Sequence, residues 1–221
     1  KTDLALPGLG VPLAWTRSYS AQANMNSLGE TGPMGAKWSH NWYARLNRVD
    51  GDNVVQVSLA MGGSLTFYKN GSTYRNPAGW EGSLVKNGGG DWTLTTANQL
   101  VYAFDSTGQW TSVTDRNGNT TTLGYTSGKL TSITDASSRS LTISYDANAR
   151  IDEVSDGTRS VFYEYNATGD LIEITDVLGG TITYQYSGHQ LTQGTDANGN
   201  VFVRNTYDSY GRVVQQLDAG D

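Results

Sequence analysis

The chain has no cysteine in 221 residues, which rules out disulfides and leaves the redox compartment open, since a chain can be exported without them. Proline occurs only 4 times and charged residues make up 16% of the chain. No segment reads as a signal peptide or an apolar membrane span. No stretch of a dozen residues spaces its apolar side chains by three and four between good caps, so helices are not expected. Basic clusters are missing too. With a formal net charge of -6, nucleic acid is excluded as a partner, because phosphate binding needs grouped Lys and Arg.

Glycine and tyrosine are abundant, at 27 and 13, as suits a strand-rich, turn-rich protein. At this length a domain buries roughly 70% of its unfolded surface. The second half carries a block of about twenty residues six times over. Its aromatic positions are Phe104, Tyr125, Tyr145, Tyr165, Tyr186 and Tyr207, and its acids are Asp115, Asp135, Asp156, Asp176, Asp196 and Asp218.

Each copy reads as a hairpin. Before the aromatic, large apolar residues alternate with polar ones, as in Leu141, Ile143, Tyr145 and Val161, Tyr163, Tyr165, and a period of two puts them on one strand face. Glycine then stands four positions after the aromatic at Gly108, Gly169 and Gly211, where a turn needs positive φ. Ala149 takes that place once, while Gly128 and Gly188 come early, so turn geometry should vary. The second arm has apolar pairs three apart: Trp110 and Val113, Leu130 and Ile133, Ile151 and Val154, Leu171 and Ile174, Val214 and Leu217. A flat strand would put such a pair on opposite faces, so a bulge is expected. The closing turns DRNGN (115–119) and DANGN (196–200) contain Asn-Gly, a short-hairpin signal.

The first hundred residues also read as hairpins. Leu13, Trp15 and Arg17 share a face, and residues 42–59 give two strands around Asp50 and Gly51. Further turns fall at Gly62 and Gly63, at Asn70 and Gly71, and at Gly88 to Gly90. The reading is one continuous all-β structure of successive antiparallel hairpins forming a curved or spiralling sheet. A change of pattern near Asn98 separates an amino-terminal module (1–98) from the six repeats (99–221). The chain opens on Lys1 and stops at Asp221 in repeat register, so it is expected to be a piece of something longer, with an open sheet edge that invites self-association.

The repeat, with its Tyr, Gly, Asp and Asn-Gly-Asn turn, resembles the YD repeat of RHS proteins. The opening, LPGLGVPLAWTRSYS (6–20) followed by GPMGAKWSHNWYARL (32–46), resembles the module that precedes those repeats. In that family many repeats spiral into a shell around a carboxy-terminal domain, commonly a toxin delivered to a neighbouring cell. The resemblance implies a secreted or cell-surface protein whose partner is the remainder of its own chain. The family's self-cleavage segment and variable tail are not in this sequence, so it implies a catalytically inert stretch without cofactor or metal.

Several residues could carry chemistry. The alternating oxygens of 115–119 and 196–200 suit calcium, yet the Gly comes one position early for an EF-hand and no Glu closes the loop; stabilisation of the turn by side-chain hydrogen bonds is the better account. His40, beside Ser39 and between Trp38 and Trp42, lacks a nucleophile elbow, and His189 falls in a turn. The Tyr ladder and the six Trp either fill the core or present platforms for sugar rings. Trp80, in the loop NPAGWEG (76–82), is the candidate glycan contact. The residues after each Asp (Arg116, Ala136, Gly157, Val177, Ala197) share no chemistry, which favours packing over a repeated binding surface.

Overall fold

A computed structural model describes residues 1–21, 32–59 and 63–218; Gly62 and the turn following Asp218 lie outside them. Among the described residues there is no helix. Three sheets account for the 21 strands of the described residues. The first pairs β1 (Thr2–Leu6), β2 (Leu13–Tyr19) and β3 (Trp38–His40) in order. The second runs β4 (Arg45–Asp50), β5 (Val54–Ser58), β6 (Ser64–Asn70), β7 (Thr73–Arg75).

The third sheet has 14 strands in strict sequence order. It starts with β8 (Gly82–Lys86), β9 (Trp92–Thr96), β10 (Val101–Phe104), β11 (Trp110–Thr114), β12 (Thr120–Thr126), β13 (Lys129–Thr134) and β14 (Ser140–Tyr145). It continues with β15 (Ile151–Ser155), β16 (Ser160–Tyr165), β17 (Leu171–Thr175), β18 (Thr181–Ser187), β19 (Gln190–Thr195), β20 (Val201–Tyr207) and β21 (Val213–Asp218). The pattern change near Asn98 falls inside this sheet, between β9 and β10. β8 and β21 are its end strands, so it does not close into a barrel. Two compact units divide the chain: residues 1–4, 15–41 and 143–221, and residues 5–14 and 42–142.

The apolar pairs three apart are explained by the expected bulge. Phe104 faces Trp110 but Ala103 faces Ser112, so Thr111 is an extra residue in β11. The same shift inserts Thr131, Ile172, Thr192 and Val214 into β13, β17, β19 and β21. One extra residue returns the next large side chain to the buried face. Trp110 and Val113, Leu130 and Ile133, and Leu171 and Ile174 are accordingly all buried. In the last copy the register residue opposite Tyr207 is Val213, so the pairing of Val214 with Leu217 is one position late. Val213 and Val214 are both exposed on this end strand.

Candidate functional site

The repeat acids build turns. Asp115 Oδ1 accepts from the backbone N–H groups of Asn117 (2.8 Å) and Asn119 (2.9 Å), and its N–H donates to Asn119 O. Gly118 takes the left-handed position at φ 84° and donates to Asp115 O. This is a three-residue loop rather than the two-residue turn that Asn-Gly suggests, because only the Gly has positive φ. Asp135, Asp176 and Asp196 repeat it, and Asp156 closes one residue earlier on Arg159. Asp218 ends β21, and the residues after it lie outside the described ones.

The opposite ends of the hairpins use the same device, which the sequence reading overlooked. Asp105, Asp146, Asn166 and Asp208, each directly after the repeat aromatic, accept from the second and fourth following N–H groups. Ala149 occupies the left-handed position at φ 64°. Two hairpins instead turn through Ser127-Gly128 and Gly188-His189, with positive φ at both residues. Hydrogen bonding to Asn119 holds the Asp115 carboxyl below its usual range. Burial works to raise Asp135, but the Arg139 side chain and the turn N–H groups prevail and lower it.

Tyr125, Tyr165, Tyr186 and Tyr207 each join their hairpin to the one before. Tyr125 Oη donates to Trp110 O (2.8 Å), Tyr165 to Ile151 O (2.7 Å), Tyr186 to Leu171 O (2.5 Å) and Tyr207 to Leu191 O (2.7 Å). Trp110, Leu171 and Leu191 lie beyond the last residues of their strands paired with the following hairpin, Ser112, Glu173 and Gln193. The phenol therefore satisfies a carbonyl that the bulge withdraws from the ladder, and a buried carbonyl without a partner costs about 1–3 kcal/mol. Burial raises the Tyr165 and Tyr186 hydroxyls well above the usual phenol range, so they stay protonated donors. Phe104 needs no hydroxyl: it pairs with Trp92, the first residue of β9.

In the unit holding residues 143–221, the Tyr face is covered by β1–β3. Arg17, 1% exposed, donates to Asp3 Oδ2 (2.8 Å) and to Tyr184 Oη (2.5 Å), and Tyr163 Oη donates to the same Asp3 oxygen (3.0 Å). The guanidinium lies 5.2 Å from the Trp38 ring and 5.4 Å from that of Tyr184. Trp38 Nε1 donates to Tyr186 Oη. His40 is buried and stacked on Trp15 at 4.4 Å, and burial pushes its pKa down to about 3.

Trp15, Trp38, Trp42, Trp92 and Trp110 are all buried. Trp80 is half-buried, with its ring edge-on to Phe67 at 5.4 Å. No group of three or more His, Cys, Asp or Glu able to hold a metal occurs among the described residues, and no helix there is long and apolar enough to cross a membrane.

Comparison with known proteins agrees with this repeat architecture. The family described as Teneurin YD-shell matches residues 93–220. The chain belongs to that family. Residues 1–67 match a domain of unknown function, DUF6531, so both parts of the RHS resemblance have a counterpart. No relative is found among curated proteins. One solved structure, described as "Crystal Structure of TcdB2-TccC3-Cdc42", is similar at 15% identity with a TM-score of 0.42; the match covers 93% of this chain and 14% of that one.

One stretch of this YD-shell chain departs from its own repeat. His189 Nδ1 lies 2.7 Å from Asp170 Oδ1, joining the β18–β19 turn to the β16–β17 turn. Asp170 Oδ2 accepts from Asn166 (3.1 Å) and Thr168 (3.0 Å). Burial works to raise Asp170, but the bonds from His189, Asn166 and Thr168 lower it below the usual carboxylate range. An ionised acceptor puts the proton on Nδ1 and leaves Nε2 with a lone pair in the neutral ring. Tyr19 holds the backbone of the same turn, accepting from Leu191 N (2.9 Å) and donating to His189 O (3.2 Å). These turns border a cleft of about 380 Å³ lined by Thr168, Tyr184, Gln185, Tyr186 and His189 among others.

Proposed function

We propose that this chain is a structural segment of a shell that encloses a carboxy-terminal toxin or effector carried by the same polypeptide, and that the segment performs no chemistry itself. The observation that supports this most is how the repeated side chains are used. The hydroxyls of Tyr125, Tyr165, Tyr186 and Tyr207 donate to the preceding hairpin, and the acids at 115, 135, 156, 176 and 196 accept from their own turns, so these polar groups are engaged within the sheet. In this reading Trp80 packs on Phe67 instead of holding a glycan. β21, whose only sheet neighbour among the described residues is β20, offers its free edge to a further strand, and export or surface display follows from the cargo's target outside the cell. An edge left open would instead drive self-association.

The test is limited proteolysis of the natural full-length product beside its isolated carboxy-terminal domain. Enclosure predicts that the domain survives in the full-length protein under conditions that digest it alone. Equal digestion rates would refute enclosure.

A further inference from the structure

The pairing of Asp170 with His189 links two neighbouring turns through a side chain from each. At the residue four after the turn Asp or Asn, the loops carry Gln109, Asn119, Arg139, Arg150, Gly180, Asn200 and Arg212, with an acid at Asp91 and at Asp170; of these two acids, Asp170 is the one that meets a histidine. In the two short turns, the second central residue is Gly128 in one and His189 in the other, the latter at φ 64°. A side chain in the left-handed region costs roughly 1–2 kcal/mol that glycine avoids.

Linking neighbouring turns does not require this arrangement. Arg150 Nη1 reaches Asn166 O in the next turn (3.2 Å), and Gln109 Nε2 reaches Gly128 O (3.4 Å). In both cases the next turn contributes only a backbone carbonyl. An Arg at position 170 with a Gly at 189 would make the same link without strain. The Asp-His arrangement adds one thing to it: an imidazole with a fixed tautomer, 46% exposed, at the mouth of a cleft.

We infer that the cleft between the β16–β17 and β18–β19 turns binds a neutral hydroxylated ligand of the sugar-ring class. His189 Nε2 accepts a hydroxyl hydrogen, the exposed Gln185 amide serves a second hydroxyl, and the Tyr186 ring faces the apolar edge. The Tyr186 hydroxyl is already taken by Trp38 and Leu171. No Lys or Arg lines the cleft and its one carboxylate is fully engaged, so the site selects against anions. The site is independent of the shell reading and of Trp80.

Amide NMR of Gln185 and Gly188 during titration with glucose, galactose and N-acetylglucosamine, with sulfate as control, tests it. At least one sugar should shift both resonances saturably, and sulfate should not. The double variant Asp170→Arg with His189→Gly, which copies the Arg150 link, should keep its urea midpoint and lose binding at least tenfold. Should that variant not fold, Gln185→Ala decides, with a severalfold loss expected. The inference is overturned if no sugar shifts the wild-type resonances, if sulfate shifts them instead, or if the folded variants bind as wild type.

Discussion

Asp3 and Arg17 are 3% and 1% exposed at their side chains, whereas Arg212 of the Arg212–Asp208 pair is 65% exposed. Removing one member of a buried pair leaves an uncompensated charge in a poor dielectric. Asp3→Ala is therefore expected to cost about 3–5 kcal/mol in urea unfolding, and an Arg212→Ala change within about 1 kcal/mol. His40 supplies a pH signature. It stays neutral in the fold down to about pH 3 but takes up a proton near 6.5 when unfolded. Between those values the unfolded state holds the extra proton. Its contribution is thus complete above pH 6.5 and is lost progressively as pH falls toward 3. Unfolding midpoints should drop between pH 7 and 5, and His40→Phe, which keeps a ring on Trp15, should reduce that slope; an unchanged slope would remove His40 as its source. The turn carboxylates held below their usual range add a further loss as pH falls through about 4 and below.

At the scale of the hairpin, the bulge was legible because large residues three apart cannot share a face of a flat strand. The turns were less so. Asn-Gly fits a two-residue turn, but the Asp ahead of it captures two N–H groups and enforces a longer loop, a competition that spacing alone does not decide. The second set of turn residues, Asp105, Asp146, Asn166 and Asp208, was overlooked because it adjoins the conspicuous aromatics. The Asp170–His189 contact joins residues 19 apart and has no periodic signal. Gly194 shows how a hairpin departs and compensates. It takes the place of Ile133, Val154 and Ile174, and a Cβ there would lie 2.5 Å from the Phe202 ring, which fills the gap and stacks edge-on against Tyr184. Gly194→Val should destabilise by about 1–3 kcal/mol through overpacking, and adding Phe202→Thr should restore most of the loss. If the double variant is no better than the single, Phe202 is not the filler.

Over the molecule, the all-β class, the hairpin succession and the family were readable from sequence, since they rest on periodicity and turn chemistry. What covers the Tyr face was not, because it depends on pairing across more than a hundred residues, as from Arg17 to Tyr184. The same distance explains why Trp38 could not be told from a sugar platform until its ring was found beneath the repeats. The central claim is that the hydroxyl of the repeated Tyr serves the sheet. Urea unfolding of Tyr165→Phe, Tyr186→Phe and their combination tests it most directly, because only hydroxyls are removed: that of Tyr165, which holds the Ile151 carbonyl, and that of Tyr186, which holds the Leu171 carbonyl and accepts from Trp38. Each single change should lower stability by about 1–3 kcal/mol, with the double at least as large as either; wild-type stability in all three would contradict the account.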